Sequence, residues 1–398
     1  MQPLGDTFIK LIRMVVAPIA FFTIVSGVAT VGDLKRVGKI GGSAILYFEV
    51  VTTAALALGL VIADIFRPGL GLSHTSAPAV DIHQYQQAAA GNTVVHFLTT
   101  LVPDNVVDAF ARGDLLQIVL FGVLFGCAAT LVGEKAAPLL HVIDASSTIM
   151  FRLINMVMRL APLGAFGALA FSVGRFGIGS VIILGKVLAC VYGASILFVV
   201  VVLFAIARAS GFSLYRLLNF AGTEILIVVG TAASESVLPQ LIAKLNRLGC
   251  SLPAASLVLP TGYSFNADGA SIYLSIAALF IAQAYGIDMS LGQQIGLLLL
   301  LVLTSKGASG VGGAGFITLA ATLSATHVLP VEGLGLLIGV DRFMTQARAT
   351  TNIIGNIVGT VVVSRLAGEF DNKQAEQVYR DHFGPEARFN LRRAKEAG

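Results

Sequence analysis

The sequence predicts an all-α polytopic membrane protein, and three observations carry that prediction. Of 398 residues, 56% are hydrophobic and only 12% charged, against roughly 45–50% apolar and about 25% charged in soluble domains. Apolar runs long enough to cross about 30 Å of hydrocarbon recur along the chain. Beyond residue 212 those runs shorten and are cut by small polar residues. One water-soluble core cannot hide this much apolar surface, because too large a polar rind would have to cover it. The same composition excludes a disordered chain, a collagen-like fibre, a disulfide scaffold and a typical cytosolic enzyme.

In chain order, residues 8–31, 40–66, 115–132, 139–172 and 181–207 predict spanning helices, several long enough to tilt. Residues 67–92 form the one long polar loop and carry a single basic residue, Arg67. The start, Met1-Gln2-Pro3-Leu4-Gly5-Asp6, has no basic flank before an apolar run, so no cleavable signal peptide is expected.

The pattern changes after residue 212. The run 214–229 leads into Gly230-Thr231-Ala232-Ala233-Ser234-Glu235-Ser236 and a shorter segment ending at Leu248. The run 251–263 is cut at Ser264-Phe265-Asn266-Ala267-Asp268-Gly269. The run 291–304 meets a Ser/Gly tract over 305–315 and resumes to Ala325. At about 1.5 Å per residue, most of these pieces reach only part-way through a bilayer. Non-helical backbone at that depth must be buried in protein or line a wet cavity. Broken helices at the midplane are how transporters build a substrate site. The segments around 220 and 300 therefore predict two re-entrant hairpins with Ser/Gly tips.

Basic residues orient the chain. Lys35, Arg36 and Lys39, then Lys135, Arg208 and Arg216, and a tail from Glu369 rich in Lys and Arg all fall on one side, which becomes cytoplasmic. On that orientation Met1 starts outside with nothing to carry it across. The expectation is that a first transmembrane helix is missing from this sequence, through a late start or a truncation. A net charge of +4 without a basic patch argues against a nucleic-acid partner. Cys127, Cys190 and Cys250 lack metal spacing and read as buried structural thiols.

Charged groups at membrane depth cost at least about 2.5–3.5 kcal/mol, so each needs a reason. Asp341, Thr345, Arg348, Asn352 and Asn356 follow one another at intervals of 4, 3, 4 and 4, which puts all five on one stripe of a helix. An inward Arg348 suits a carboxylate, which its planar fork meets with two parallel bonds. The alternative is that Arg348 pairs with Asp341, two turns away. Arg342 lies off the stripe and is expected at headgroups or another helix. Gly339, Gly355 and Gly359 allow close packing nearby. Ser234 can bind a carboxylate through hydroxyl and backbone, and the tip 309–315 can close over it. Asn266 and Asp268 offer hard oxygen ligands for a small cation or a protonatable carboxylate; the alternative for Asp268 is a helix cap at a kink. Glu235 stays open between a binding and a structural role. Glu49 and Asp64 are weaker candidates, with Asp64 expected to reach water. Gly310-Val311-Gly312-Gly313-Ala314-Gly315 matches GxGxxG but follows a Leu-rich helix instead of a strand. Ser234 lacks a GxSxG frame, which leaves a membrane-embedded serine hydrolase poorly supported.

These residues resemble the dicarboxylate/amino acid:cation symporters, which share the glutamate-transporter-like fold. The resemblance covers nearly the whole chain and is densest over 230–365. It rests on the serine-containing tip 230–239, the Pro260-Thr261-Gly262-Tyr263-Ser264-Phe265-Asn266-Ala267-Asp268-Gly269 break, and Ser305-Lys306-Gly307. Asp341-Arg342-Phe343-Met344 and Ala347-Arg348-Ala349 through Asn352 complete it. From Pro3-Leu4-Gly5-Asp6 and Tyr47-Phe48-Glu49 onward, the chain looks most like the bacterial C4-dicarboxylate branch, in which a further helix precedes this opening.

The resemblance implies a homotrimer of elevator-type transporters in the cell inner membrane, with a cytoplasmic C-terminus. Residues 1–212 would be mainly scaffold and trimerisation helices, some of them belonging to the transport domain. Residues 213–367 would be the transport-domain core, with hairpin 1, a broken helix, hairpin 2 and a last helix. Residues 368–398 would form a charged cytoplasmic tail. Ser234, Val311, Gly312, Gly313, Thr345, Arg348 and Asn352 would meet substrate. Asn266, Asp268, Asp341 and Asn356 would serve cation coupling, with sodium, if used, at Asn266, Asp268 and Asp341. No cofactor is implied beyond a coupling H+ or Na+.

Thr345 stands where amino-acid-transporting relatives hold the substrate ammonium with an Asp, which favours a dicarboxylate such as succinate, fumarate or malate. Asn356 replaces an Asp of sodium-dependent relatives and makes proton coupling more plausible. An acidic amino-acid symporter and a transport-inactive member of the family are the rival readings. The chain departs from the family at Ala232-Ala233-Ser234, where three serines are usual. It departs again at Asp268-Gly269-Ala270, usually Asp-Gly-Thr, and at Thr345-Gln346-Ala347-Arg348, usually Ser-Glu-Ala-Arg.

Overall fold

The computed structural model describes residues 2–31, 34–70, 102–160, 163, 166, 184–304, 315, 318–320, 322–323, 329–330, 333–386 and 388–389. Among these, regular structure is helical apart from one isolated antiparallel bridge between Cys250 and Phe370. The long polar loop falls mostly outside the described residues. So do the end of the fourth predicted span, the start of the fifth, and the tail beyond Phe389.

Two long helices open the chain, α1 (Gln2–Val31) and α2 (Leu34–Phe66). After the short α3 (Val106–Arg112), α4 (Leu115–Val132) runs through a 3-10 turn (Gly133–Ala136) into α5 (Ala137–Val157). The third helical run is α6 (Gly185–Leu197), a π-helical turn (Phe198–Leu203) and α7 (Phe204–Ala209). Among the described residues, four stretches are long and apolar enough to cross a membrane: Lys35–Phe66, Gln117–Met150, Gly185–Ala209 and Leu252–Ala284.

α1 packs along α4 and α5, where Phe21 stacks on Phe121 at 5.5 Å and meets Phe110 edge-on. α2 lies instead against α12 (Asp268–Ala284). Their approach is close enough that a Cβ on Gly59 would strike Ser275 and the Ile272 backbone. Gln283 fastens the ends of this pair, donating to the Ala63 carbonyl at 2.9 Å and accepting from the Gly69 N–H at 3.1 Å. α6 also packs on α12 and on α14 (Leu334–Ala367). Within 1–212, α2 and α6 thus join the later helices, while α1, α4 and α5 pack together and meet the later segments mainly through α1 and α4 against Leu252–Phe265.

The short segments after residue 212 are helices of about the expected extent. α8 (Leu214–Phe220) and α9 (Gly222–Thr231) meet at a 70° bend that hydropathy does not reveal. α9 stops at Ala232, whose backbone is left-handed (φ 54°). A 3-10 turn (Ser234–Val237) then leads into α10 (Leu238–Leu248). Glu224, early in α9, pairs with Lys244, late in α10, at 2.6 Å, so the two arms run back alongside each other as a helical hairpin. α11 (Leu252–Phe265) and α12 are separated only by Asn266 and Ala267. This break is narrower than the sequence pattern suggests, and the pair makes one 33-residue run. α13 (Leu291–Thr304) ends where the Ser/Gly tract begins, and residues 305–314 lie outside the described residues.

The charged tail is more than a solvated extension. Asp371 caps α15 (Asn372–Phe383) by accepting from Lys373 and Gln374 N–H groups, and Tyr379 and Phe389 are fully buried. Phe389 stacks on Phe370 at 5.1 Å and Phe212 at 5.8 Å, with the Arg365 guanidinium 4.9 Å over both Phe370 and Phe389. Backbone bonds from Ser251 to Glu369 and from Asp371 to Gly249 stitch the strap to the base of the hairpin. Cys250 beneath it is buried, as is Cys190, but Cys127 is only half-buried, so the reading of three buried thiols is corrected for Cys127. A helix-surface position in an apolar run carries no sign of which residues the bundle covers.

Burial pushes the Cys250 thiol up to about 12, against smaller opposing effects of Ser364 and Arg365. With the thiolate suppressed, Cys250 should resist maleimide at neutral pH. Phe389→Ala should cost about 3–5 kcal/mol and make Cys250 alkylate much faster, as read by labelling rate and thermal unfolding in detergent.

Candidate functional site

The predicted polar stripe lies on one continuous helix, α14, and its members meet groups from α9, α11 and α12. Arg348 is 6% exposed. Its Nη2 donates to the Thr345 hydroxyl, which itself donates to the Asp341 carbonyl. Its Nη1 stands 3.3 Å from Asp341 Oδ1, so the sequence alternative of an Arg348–Asp341 pair is realised. That contact lacks hydrogen-bond alignment, and Nη1 has no acceptor among the described residues. The guanidinium also lies over the Tyr273 ring, 4.2 Å from its centroid, in cation–π geometry. Gly315, the last residue of the Ser/Gly tract, packs so close to Nη1 that a Cβ there would collide with it. Val311, Gly312 and Gly313 lie outside the described residues.

Asn352 has a defined structural task. Its Oδ1 accepts from the N–H groups of Gly269 (2.7 Å) and Ala270 (3.3 Å), two orphan donors at the start of α12. With Oδ1 committed to that cap, Nδ2 is the donor the side chain has to offer a ligand. The approach of α14 to this turn requires glycine at 269, where a Cβ would lie 2.5 Å from the Arg348 carbonyl.

One turn further on, Asn266 and Asp268 are fully buried at the helix break. Asn266 Nδ2 donates to Asn356 Oδ1 at 3.0 Å, and Asn266 Oδ1 has no partner among the described residues. Asp268 sits in the first turn of α12, where the helix dipole favours its charge. Gly355 gives its carboxylate room, since a Cβ there would collide with it. Gly359 likewise admits Tyr47 and Phe48 of α2. From the same helix, Thr52 donates to the Phe265 carbonyl at 3.2 Å, supporting the end of α11. Asn266, Asp268 and Asn356 therefore share one buried polar pocket, while Asp341 lies beside Arg348 instead.

Ser234 is buried at the hairpin turn, which packs against α14. The Tyr263 hydroxyl donates to its carbonyl at 2.9 Å, fixing the turn from α11. Asp64 is exposed and accepts from Gln294 at 3.2 Å, as its position near a helix end suggests. Glu235 and Glu49 are both half-buried.

Residues 1–366 match the family described as the sodium:dicarboxylate symporter family. The chain belongs to that family. It is a transporter and not an enzyme. A C4-dicarboxylate transport protein of Bacillus subtilis (strain 168) is 51% identical over 376 residues, covering 94% of this chain and 89% of its own. One from Anaeromyxobacter sp. (strain K) is 52% identical over 380 residues, covering 95% and 86%. One from Aeromonas salmonicida (strain A449) is 50% identical over 380 residues, covering 95% and 89%. The family match stops at residue 366, just before the C-terminal strap.

Reading by residue type missed Tyr273 beneath Arg348 and Tyr192 on α6, whose hydroxyl reaches the Phe343 carbonyl at 2.9 Å. The available signal was weak: a single tyrosine inside an otherwise apolar span.

The two tasks of Asn352 separate by substitution. Asn352→Ala should lose about 1 kcal/mol with the cap and also lose transport. Asn352→Asp keeps the acceptor but not the Nδ2 donor, so it should retain thermal stability and still lose uptake in vesicles.

Proposed function

We propose that this transporter is a secondary active symporter that imports C4-dicarboxylates such as succinate, fumarate and malate with protons or sodium. The observation that carries the reading is the Arg348 Nη1, buried and without an aligned acceptor among the described residues. Leaving such a donor unmet costs about 1–3 kcal/mol, more when charged, so the site is built to receive an anion's oxygen. One substrate carboxylate takes the guanidinium of Arg348 and the Nδ2 of Asn352. The other is within the chemistry of Ser234 and of the second tip at Val311, Gly312 and Gly313.

Thr345 favours the dicarboxylate over the amino-acid class. An amino-acid substrate brings an ammonium that needs an anionic partner, whereas Thr345 offers only a hydroxyl already engaged with Arg348 and the helix backbone. The names of the relatives agree with the dicarboxylate reading.

Coupling belongs to the second pocket. Asn266, Asp268 and Asn356 supply a single carboxylate between two amides, a donor set suited to one monovalent cation or one proton. Asp341 links this coupling to Arg348 by relieving the guanidinium's charge. In the working cycle the two hairpins act as re-entrant gates, and the transport core slides as an elevator within a homotrimer. The positive-inside pattern sets the tail and the C-terminus in the cytoplasm, with the protein multi-pass in the cell inner membrane.

Arg348→Ala should abolish succinate uptake in reconstituted vesicles; normal uptake would sink the assignment. In the parent, fumarate and malate should compete with succinate. Strong competition by aspartate alone would favour an acidic amino-acid symporter. Uptake under separately imposed pH and sodium gradients identifies the coupling ion.

A further inference from the structure

The carbonyl of Val229 lacks its helical partner. The i+4 donor is Ala233, but the left-handed turn at Ala232 sends that N–H to Thr231 Oγ1 at 3.4 Å instead. Orphan carbonyls at a helix end need another donor when buried. Gln346 of α14 supplies it, its Nε2 donating to Val229 O. The Gln346 Oε1 in turn lies 3.3 Å from the Tyr192 hydroxyl of α6, whose single hydrogen it shares with the nearer Phe343 carbonyl at 2.9 Å. One amide, two residues before Arg348, thus uses its acceptor on α6 and its donor on Val229, five residues before Ser234.

We propose that Gln346 is a positioning residue that sets the Ser234 tip relative to Arg348, and that its being an amide makes this tie independent of pH. A carboxylate has no donor for Val229 O and, when ionised, would set two acceptors face to face; an aliphatic side chain offers neither half of the tie. The titratable groups on the elements packed here are Lys186, Cys190 and Tyr192 on α6 and Asp341, Arg342, Arg348 and Arg365 on α14. On α9 the one such group is Glu224, which is held by Lys244 at the opposite end of the helix. The inference rests on the reading of Ser234 and Arg348 as substrate groups only where it is measured by uptake.

The test compares Gln346→Glu and Gln346→Leu with the parent in two ways. The first is succinate KM in vesicles from about pH 5.5 to about pH 8, a range that spans protonation of a buried carboxyl. The second is maleimide labelling of Ala233→Cys in a background without Cys127, Cys190 and Cys250. Gln346→Glu should raise KM about tenfold relative to the parent at the alkaline end, the equivalent of one unmet polar group at a half-buried position. The ratio should fall back towards one at the acid end, where the protonated carboxyl regains a donor, and tip labelling should follow the same curve. Gln346→Leu should raise KM by a similar factor at every pH. Tyr192→Phe removes the outer half of the tie without altering α14, and should raise KM about threefold even if a Gln346 variant fails to assemble.

Parent-like KM and labelling in these variants would overturn the proposal. A pH-dependent tip in Gln346→Glu, in a protein whose parent takes up no succinate, would leave the tie standing and overturn the dicarboxylate reading alone.

Discussion

A guanidinium buried among apolar helices is tolerable only if its surroundings replace the water it has lost, and Arg348 organises its neighbourhood around that requirement. Asp341 offsets the charge at 3.3 Å, the Tyr273 face accepts it from below, and the Thr345 hydroxyl takes one N–H. These partners come from two helices, so α12 and α14 have to meet at this depth. They meet through glycine: a Cβ on Gly269 of α12 would strike the Arg348 backbone, and one on Gly355 of α14 would strike the Asp268 carboxylate. What remains without an aligned acceptor among the described residues is Nη1.

The same principle governs the break between α11 and α12. Interrupting a helix exposes backbone donors and acceptors that a membrane interior cannot hydrate. Here each end is answered: Thr52 takes the Phe265 carbonyl, and Asn352 takes the Gly269 and Ala270 N–H groups. Tyr263 does the equivalent for the Ser234 turn, and Gln346 for the end of α9. Each cap is a side chain from a helix other than the one it caps, so the broken segments hold their shape only while the bundle is assembled. Breaks built in this way can be stable and still respond together when one helix moves.

At the other end of α14, Arg365 plays a contrasting part. It is sandwiched among Phe212, Phe370 and Phe389 and donates to the Ser210 carbonyl, which joins the strap to the base of the hairpin. A long helix thus carries one arginine whose aromatic and carbonyl partners fasten the fold, and a second set against a carboxylate, a hydroxyl and a single tyrosine ring. The difference lies in their surroundings and not in residue type.

Much of this was legible in the sequence. The five-residue stripe on α14 follows from helical spacing, the helix break from its polar interruption, and the helical character of 214–248 from short apolar runs. The bend at Ala221, the docking of the tail and the tasks of Tyr273, Tyr192 and Gln346 were not. Local periodicity reports which residues share a face, whereas these features depend on what arrives opposite that face. Gln346 and Val229 are separated by 117 positions, and Arg36 and Glu369 by 333. The sequence by itself determined an all-helical membrane chain with a polar stripe and interrupted segments, because burial cost is written in composition and spacing. Only the tertiary structure decided which orphan backbone groups those polar side chains satisfy, because hydrogen bonds between distant segments leave no period in the chain.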